Sequence, residues 1–93
     1  EIESLIDDLP GVIESAVIGI PHPDFGEAVV AIVVPEGDAN PPETEAAIWA
    51  ALAQNLARFK QPKRIIFAPD LPRNTMGKVQ KNALRDTHDG MFF

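Results

Sequence analysis

Gly77 and Lys78 are the residues best suited to chemistry in this chain. They lie in the segment 70–85, Asp-Leu-Pro-Arg-Asn-Thr-Met-Gly-Lys-Val-Gln-Lys-Asn-Ala-Leu-Arg. Glycine readily adopts a positive φ, so Gly77 can form a turn that holds the next lysine at its tip. An ammonium fixed in a water-poor site can stabilise negative charge on reacting oxygens by a few kcal/mol. The alternative interpretation is a solvent-exposed lysine at the start of a helix.

The Gly-Lys pair does not belong to a phosphate-binding P-loop. That motif requires Gly-x-x-x-x-Gly-Lys followed by Ser or Thr. Here Pro72 occupies the position of the first glycine, and Val79 occupies the position of the hydroxyl residue. The segment therefore lacks both the glycine-rich cradle and the hydroxyl that would bind Mg²⁺.

Other catalytic and metal-binding patterns are weak. The sequence contains no cysteine, which excludes disulfides, thiolate metal sites and a cysteine nucleophile. His22 and His88 lie far apart in the sequence, so we predict no metal site. Ser4 and Ser15 lack the flanking glycines of a nucleophile elbow.

Length and composition indicate one small domain. A chain of 93 residues with 45% hydrophobic content can form a modest core without disulfide bonds or structural metals. No apolar run approaches the ~18 residues that a membrane span needs, and no signal peptide is visible. We therefore expect no membrane partner. The first residue is not methionine, and we interpret residues 1–93 as one domain of a longer protein.

Charge is distributed unevenly along the chain. The net charge is −6, yet all eight Lys and Arg residues lie between Arg58 and Arg85. Only Asp70 opposes them there, whereas the first 57 residues hold eleven of the fourteen acidic groups. Such a split favours an anionic ligand at the C-terminal half. The alternative is a dipolar surface without a function.

The hydrophobic pattern predicts three helices and three strands. An apolar stripe at helical spacing over 2–9 predicts the first helix, which Pro10-Gly11 ends. After it we predict a strand over 15–21, a turn over 22–27 and a strand over 28–34. A second helix follows, capped by Asn40, with the apolar face Ile48, Leu52, Leu56 and Phe59. The remaining predicted elements are a strand over 64–68, a loop over 69–77, a helix over 79–86 and a tail over 87–93.

This order of elements predicts an α+β fold, with a small, mainly antiparallel three-stranded sheet packed by helices on one face. The short turn between the first two strands favours an antiparallel pair. The β-branched run 28–34 predicts a strand buried on both faces or nearly so. The predicted core residues are Val17, Val29, Val33, Ile48, Leu52, Leu56, Ile65 and Phe67.

Four segments carry a family resemblance: Glu1-Ile2-Glu3; Val17-Ile18-Gly19-Ile20-Pro21 with Gly26-Glu27; Ala57-Arg58-Phe59-Lys60-Gln61-Pro62; and Leu71-Pro72-Arg73-Asn74 with Met76-Gly77-Lys78. In this order they resemble the C-terminal domain of adenylate-forming enzymes, the superfamily of acyl-CoA synthetases and luciferases. The resemblance covers nearly the whole chain. Within the superfamily, the run Gly-Lys-Val-Gln-Lys-Asn is most similar to malonyl-CoA synthetases, and Lys81 stands where many members carry arginine.

The resemblance implies the mobile C-terminal lid of an AMP-forming carboxylate–CoA ligase, whose N-terminal domain and hinge are absent from this chain. Lys78 would contact the carboxylate and the ATP α-phosphate during acyl-adenylate formation. The lid would then rotate so that CoA can attack. Gly77, Lys60 and Gly19 are expected to contribute to cofactor binding.

The implied cofactors are ATP and CoA, with Mg²⁺ bound mainly by the N-terminal domain. The implied partners are that domain and a small carboxylic acid. The resemblance also implies a cytoplasmic protein in which Lys78 is acetylated, with Arg73, Lys81 and Arg85 as the docking surface for a lysine acetyltransferase. The isolated chain is expected to be inactive, because a lid without its pocket has nothing to close on.

Two alternatives stay open. The same fold could belong to an adenylation domain that loads a carrier protein, in which case a carrier domain would follow it in the parent gene. A stand-alone anion- or nucleic-acid-binding module is the other alternative. Its basic segment contains only Phe59 and Phe67, both at positions typical of a core, so we expect no stacking platforms and no nucleic-acid partner.

Overall fold

A computed structural model describes residues 2–93; Glu1, the first residue of the Glu1-Ile2-Glu3 segment, lies outside the described residues. The elements are α1 (Ile2–Asp7), β1 (Val12–His22), β2 (Gly26–Pro35), α2 (Pro41–Asn55), a 3₁₀ turn (Arg58–Lys60), β3 (Arg64–Phe67) and α3 (Lys81–His88). The predicted α+β class is confirmed. None of the helices in residues 2–93 is long and apolar enough to cross a membrane.

The sheet has the order β1-β2-β3 and is mixed, with a long antiparallel pair and a short parallel pair. β1 and β2 pair antiparallel from Val12↔Pro35 to His22↔Gly26, as the short turn predicted. β2 and β3 pair parallel. The parallel pair is possible because the long connection through α2 returns the chain to the same end of the sheet, which a tight turn would not do.

Both faces of the sheet are covered, whereas the sequence predicted helices on one face. Successive β2 residues alternate between two core clusters, because neighbouring side chains in a strand point to opposite faces. One cluster faces α1 and α2 and consists of Ile6, Val12, Ala31, Val33, Ile48, Leu52 and Leu56. The other faces α3 and consists of Ala16, Ile18, Ile20, Val30, Ile32, Val34, Leu71 and Leu84.

The predicted core residues belong to the α1/α2 face. Val33, Ile48, Leu52 and Leu56 are buried as predicted. Val17, Ile65 and Phe67 are half-buried and pack against the same cluster, and Val29 is also half-buried. The run 28–34 correctly indicated a strand buried on both faces or nearly so, but nothing in it showed that α3 supplies the second layer.

Helix α2 ends before Phe59, so the prediction that Phe59 lies on its buried face is wrong. The helix stops at Asn55, whose side-chain amide donates to the Ala51 carbonyl at 2.7 Å. Leu56 is already extended, with ψ 143°, although its N–H still donates to the Leu52 carbonyl. Phe59 lies in the following 3₁₀ turn with 83% of its surface exposed.

Two predictions about where helices begin and end also need correction. Asn40 is the N-cap of α2 as predicted, but its side chain makes no capping hydrogen bond, and Pro42 removes the N–H of the second helical position, one of the two that such a cap uses. The predicted tail over 87–93 is partly helical, because α3 continues to His88. Beyond it, Met91 and Phe92 pack against the α3-facing cluster and extend that core.

Candidate active site

Residues 73–79 form a narrow loop that holds Gly77 and Lys78 at its tip. An antiparallel bridge joins Arg73 to Val79 at its base, and Gln80 N–H donates to the Pro72 carbonyl at 2.8 Å. Nearer the tip, Asn74 N–H donates to the Lys78 carbonyl at 3.0 Å. The loop is therefore closed by backbone hydrogen bonds on both arms before α3 begins.

Asn74 and Gly77 determine the shape of the tip. The Asn74 side-chain oxygen accepts the backbone N–H groups of Met76, at 3.0 Å, and Lys78, at 2.9 Å. Gly77 has a φ of +82°, which confirms the predicted positive φ. An added Cβ at Gly77 would meet no atom within 4 Å, so the requirement for glycine there comes from the backbone conformation and not from a lack of space.

Lys78 is exposed and forms no salt bridge with any of residues 2–93. Its two nearest basic neighbours in the segment are both paired with carboxylates. Arg73 pairs with Glu14 of β1, and Lys81 pairs with Glu3 of α1. Lys78 is therefore the cation of this loop that is left available for an anionic ligand.

Arg73 contacts the loop and the sheet at once. One terminal nitrogen of its guanidinium donates to the Gly77 carbonyl at 2.9 Å, and the other donates to the Glu14 carboxylate. The hydrogen bond that Arg73 donates to Glu14 raises the pKa of Arg73 above its ordinary value. The guanidinium thus ties the turn that precedes Lys78 to strand β1.

Lys81, the first residue of α3, is fixed by Glu3. Lys81 Nζ lies 2.8 Å from Glu3 Oε2, which also accepts the Val17 N–H at 2.6 Å. Burial raises the pKa of Glu3, but the hydrogen bonds from Lys81 and Val17 outweigh it, so the pKa is lower than usual. Together with Ile2, these three residues line a shallow cavity of about 290 Å³.

Gly19 and Lys60, the other predicted binding residues, do not join the Lys78 loop. Gly19 lies in β1, five residues beyond Glu14 or ~17 Å along the strand, and on the opposite face. An added Cβ there would overlap the Glu27 carboxylate, so the lack of a side chain makes room for Glu27. Lys60 is exposed in the 3₁₀ turn.

The region of Lys60 contains a second cavity that sequence reasoning missed. Its volume is about 250 Å³, and it is lined by Phe25, Glu27, Ala28, Val29, Phe59, Gln61 and Lys63. Phe25 and Phe59 are 59% and 83% exposed, and Lys63 Nζ lies 4.8 Å from the centroid of the Phe25 ring. We name this surface the Phe59 face. Two features of the sequence could have indicated this surface. Phe25 lies in the predicted turn over 22–27, and Phe59, Lys60 and Lys63 precede the predicted strand over 64–68.

Among residues 2–93, no three His, Cys, Asp or Glu side chains are placed to hold a metal ion together. His22 is half-buried, with its ring stacked on Phe25 at 4.4 Å and tilted against Phe92 at 4.9 Å. Its Nδ1 accepts the Asp24 N–H at 3.0 Å. Packing and this hydrogen bond account for His22 without a ligand.

Comparison with known proteins gives the chain a family. It is 47% identical over 88 residues to the long-chain-fatty-acid–CoA ligase FadD13 of Mycobacterium tuberculosis, a match that covers 95% of this chain and 17% of FadD13. It is 37% identical over 86 residues to the putative acyl–CoA ligase YdaB of Bacillus subtilis, which covers 92% of this chain and 16% of YdaB. The chain thus spans about a sixth of the length of these relatives.

A solved structure shows the same fold. The crystal structure of ATP-bound MatB from Rhodopseudomonas palustris superposes with a TM-score of 0.90 at 53% identity, covering 99% of this chain and 18% of that chain. The sequence profile of the AMP-binding enzyme C-terminal domain matches residues 1–78, which end at Lys78. The chain belongs to the C-terminal domain family of the AMP-binding, adenylate-forming enzymes.

Proposed function

We propose that this chain, 1–93, is the C-terminal lid of an AMP-forming carboxylate–CoA ligase and that Lys78 supplies the ammonium for adenylate formation. The observation that carries the proposal is the state of Lys78, which is exposed at a shaped loop tip and unpaired within residues 2–93. A lysine that only improved solubility would not need a glycine at φ +82° before it. Nor would it need an Asn74 side chain to hold its N–H.

In the first half-reaction a carboxylate oxygen attacks the α-phosphorus of ATP. The new O–P bond forms as the bond to pyrophosphate breaks, and negative charge gathers on the oxygens around phosphorus. The Lys78 ammonium would contact the carboxylate and an α-phosphate oxygen and stabilise that charge. Lysine suits this role as a compact cation on a flexible stem, and no proton transfer from it is required.

In the second half-reaction the CoA thiol attacks the acyl carbonyl and AMP leaves. The lid would rotate, withdraw Lys78 and present another surface to CoA. We assign that role to the Phe59 face, which combines the exposed rings of Phe25 and Phe59 with Lys63. Lys60 follows Phe59 in the 3₁₀ turn and is exposed. An aromatic ring can stack on an adenine, and lysines can bind phosphates.

The exposed Phe59 weakens one argument against nucleic-acid binding, since that ring was expected in the core. Phe67 is half-buried and packs against the α1/α2-facing cluster. One exposed ring in the basic segment suits a single nucleotide, such as that of CoA, better than a strand of successive bases.

The rest of the ligase would lie outside this chain. The chain is about 17–18% of the length of its relatives. We therefore propose that an N-terminal domain holds most of the ATP, Mg²⁺ and acyl pocket, and that the isolated chain is inactive. The resemblance of residues 77–82 to malonyl-CoA synthetases, together with 53% identity to MatB, makes malonate the first small carboxylic acid to test. A cytoplasmic location stays a prediction from the resemblance.

The test uses the full-length protein that carries this domain, with Lys78→Ala. Carboxylate-dependent ATP–pyrophosphate exchange is compared with thioester formation from pre-made acyl-adenylate and CoA. We expect exchange to fall by about 10²–10³-fold with thioester formation retained. Arg85→Ala, which removes an exposed cation from α3, is the control and should change neither half-reaction. Unchanged exchange in Lys78→Ala would reduce Lys78 to a surface lysine and favour the binding-module alternative.

The alternative within the same fold is an adenylation domain that hands its acyl group to a carrier protein. In that case the full-length gene would contain a carrier domain after residue 93. Added CoA would then not support turnover, while a phosphopantetheinylated carrier would.

A further inference from the structure

Arg73 holds the peptide bond that leads into Lys78. We propose that Arg73, anchored by Glu14, is a positioning residue for Lys78: it fixes the Gly77–Lys78 turn in the orientation that adenylate formation requires. The inference rests on the proposed function of Lys78. It concerns two residues, Arg73 and Glu14, that would touch neither ATP nor the acyl group.

Both ends of one peptide unit are held. The Gly77 carbonyl accepts the Arg73 guanidinium at 2.9 Å, and the Lys78 N–H of the same peptide donates to Asn74 Oδ1 at 2.9 Å. A peptide unit is planar, so holding its carbonyl and its N–H fixes the orientation of the whole plane. That plane places the Lys78 Cα, and the Lys78 carbonyl, which accepts the Asn74 N–H at 3.0 Å, limits rotation about the Lys78 N–Cα bond.

Glu14 makes the contact of Arg73 stable. An exposed arginine that donated only to a carbonyl would have many competing rotamers. The Glu14 carboxylate receives the other terminal nitrogen of the same planar fork and holds the guanidinium in place. A lysine at position 73 could not replace Arg73, because one ammonium has no fixed fork that spans two acceptors.

The fold aims Glu14 at the loop. The β1–β2 register shifts between Val12 and Glu14, where β1 carries an irregularity. Such bulges redirect the side chains that follow them. After the shift, Glu14 lies on the same strand face as Ala16 and Ile18, which is the face covered by α3 and the segment before it. The anchor therefore belongs to strand β1 of the sheet.

Positioning and direct phosphate binding predict different kinetics. If Arg73 bound ATP itself, removing it would raise the KM for ATP, and removing Glu14 would free a guanidinium to bind more strongly. If Arg73 positions Lys78, both changes lower kcat for exchange and leave the KM for ATP nearly unchanged. A misplacement of about 1 Å can cost ~10²-fold in rate.

The experiment measures both half-reactions in the full-length protein with Arg73→Met, Arg73→Lys and Glu14→Gln, each also made in a Lys78→Ala background. We expect Arg73→Met to lower the exchange kcat by about 10–100-fold, with thioester formation and the KM for ATP within about twofold of wild type. Arg73→Lys should lower the exchange kcat nearly as much as Arg73→Met does. Glu14→Gln should lower it by a smaller factor, because the amide oxygen still accepts a hydrogen bond. Arg85→Met is the matched control. In the Lys78→Ala background none of these changes should lower exchange further.

Several outcomes overturn the inference. They are an unchanged exchange rate in Arg73→Met, a raised KM for ATP as its main effect, or an equal loss of both half-reactions. If Arg73→Met fails to fold, the same criteria apply to the milder Glu14→Gln. If Lys78→Ala itself leaves exchange unchanged, the proposed function has failed. If Lys78→Ala removes exchange while Arg73→Met does not lower it, only the positioning role has failed.

Discussion

Lys81 Nζ lies 2.8 Å from Glu3 Oε2 and joins two helices that lie on opposite faces of the sheet. The pair crosses the open edge of β1, and Glu3 also accepts the Val17 N–H of that edge at 2.6 Å. The free N–H groups of an edge strand invite pairing with another chain. Glu3 therefore satisfies one of these groups while it attaches α3, and with it the base of the Lys78 loop, to α1.

The Glu3–Lys81 pair makes stability depend on pH. Glu3 has a lowered pKa in the folded chain, so its contribution is fully present above the ordinary value of 4.5. It is lost as the pH falls through the folded pKa, because protonation then favours the unfolded state. We expect Glu3→Gln to lower the Tm of the 93-residue chain by about 2–4 °C at pH 7. The difference should shrink below pH ~4.

Glu36→Gln is the control for this series, since Glu36 is exposed and forms no salt bridge with the described part of the chain. Thermal unfolding followed by circular dichroism at several pH values gives the comparison. A Tm difference between wild type and Glu3→Gln that stays constant from pH 7 to pH 3 would contradict the assigned role of the carboxylate.

Gly77→Ala tests the shape of the loop. The substitution places a Cβ on a residue at φ +82°, which costs ~1–2 kcal/mol if the conformation is kept. The loop can avoid that strain by changing its turn, which would displace Lys78. We expect a modest loss of stability and a much larger loss of ATP–pyrophosphate exchange in the full-length protein. Gly90→Ala is the matched control, because a Cβ there also meets open space but needs no positive φ. Equal exchange rates for the two variants would show that the turn has no functional requirement for glycine.

The order of the elements could be predicted from the sequence because it depends on local signals. Helical spacing, a β-branched run and breakers such as Pro10-Gly11 act over a few residues. Gly77 was predictable for the same reason, since a glycine between breakers and a helical pattern favours a turn with a positive φ. Phe59 shows where local reasoning stops: its spacing fits a helix, yet Leu56 is already extended.

The parts of the fold and of the candidate site that were not predicted depend on contacts between residues distant in sequence. Glu14 with Arg73 and Glu3 with Lys81 are brought together by the packing of α1, β1 and α3. No periodicity marks these carboxylates among the many acidic residues of the first half. The Phe59 face likewise forms only when the β1–β2 turn meets the segment before β3. Charge asymmetry predicted an anionic ligand at the C-terminal half, but not which of the cations there are already paired with carboxylates.

Phe59→Ala tests the surface assigned to CoA. Phe59 is 83% exposed, so its removal should barely change stability. We expect the KM for CoA to rise by about 10-fold, as the loss of one stacking contact of ~1–3 kcal/mol implies. ATP–pyrophosphate exchange, which needs no CoA, should stay at the wild-type rate. Phe93→Ala removes another exposed ring, at 79% exposure, and is the control. A rise in the KM for CoA of the same size in both variants would remove the assignment.

Lys78 is the expected site of acetylation in this segment. Lys78 is exposed and unpaired within residues 2–93, whereas Lys81 is held by Glu3. An acetyltransferase should therefore modify Lys78 in preference to Lys81. The docking surface expected from Arg73, Lys81 and Arg85 is reduced, because the first two are paired with carboxylates. Acetylation removes the positive charge, so exchange should fall as far as in Lys78→Ala, while thioester formation from pre-made acyl-adenylate continues.

The measurement combines peptide mass spectrometry with both half-reaction assays, after the full-length protein is incubated with acetyl-CoA and a cognate lysine acetyltransferase. Lys78→Arg in the same incubation is the control, because it keeps a charge but accepts no acetyl group from such an enzyme. The loss of exchange should follow the acetylated fraction of Lys78 and reverse with a deacetylase. If Lys78 is never found acetylated, or if its acetylation leaves exchange intact, acetylation of Lys78 does not regulate this domain.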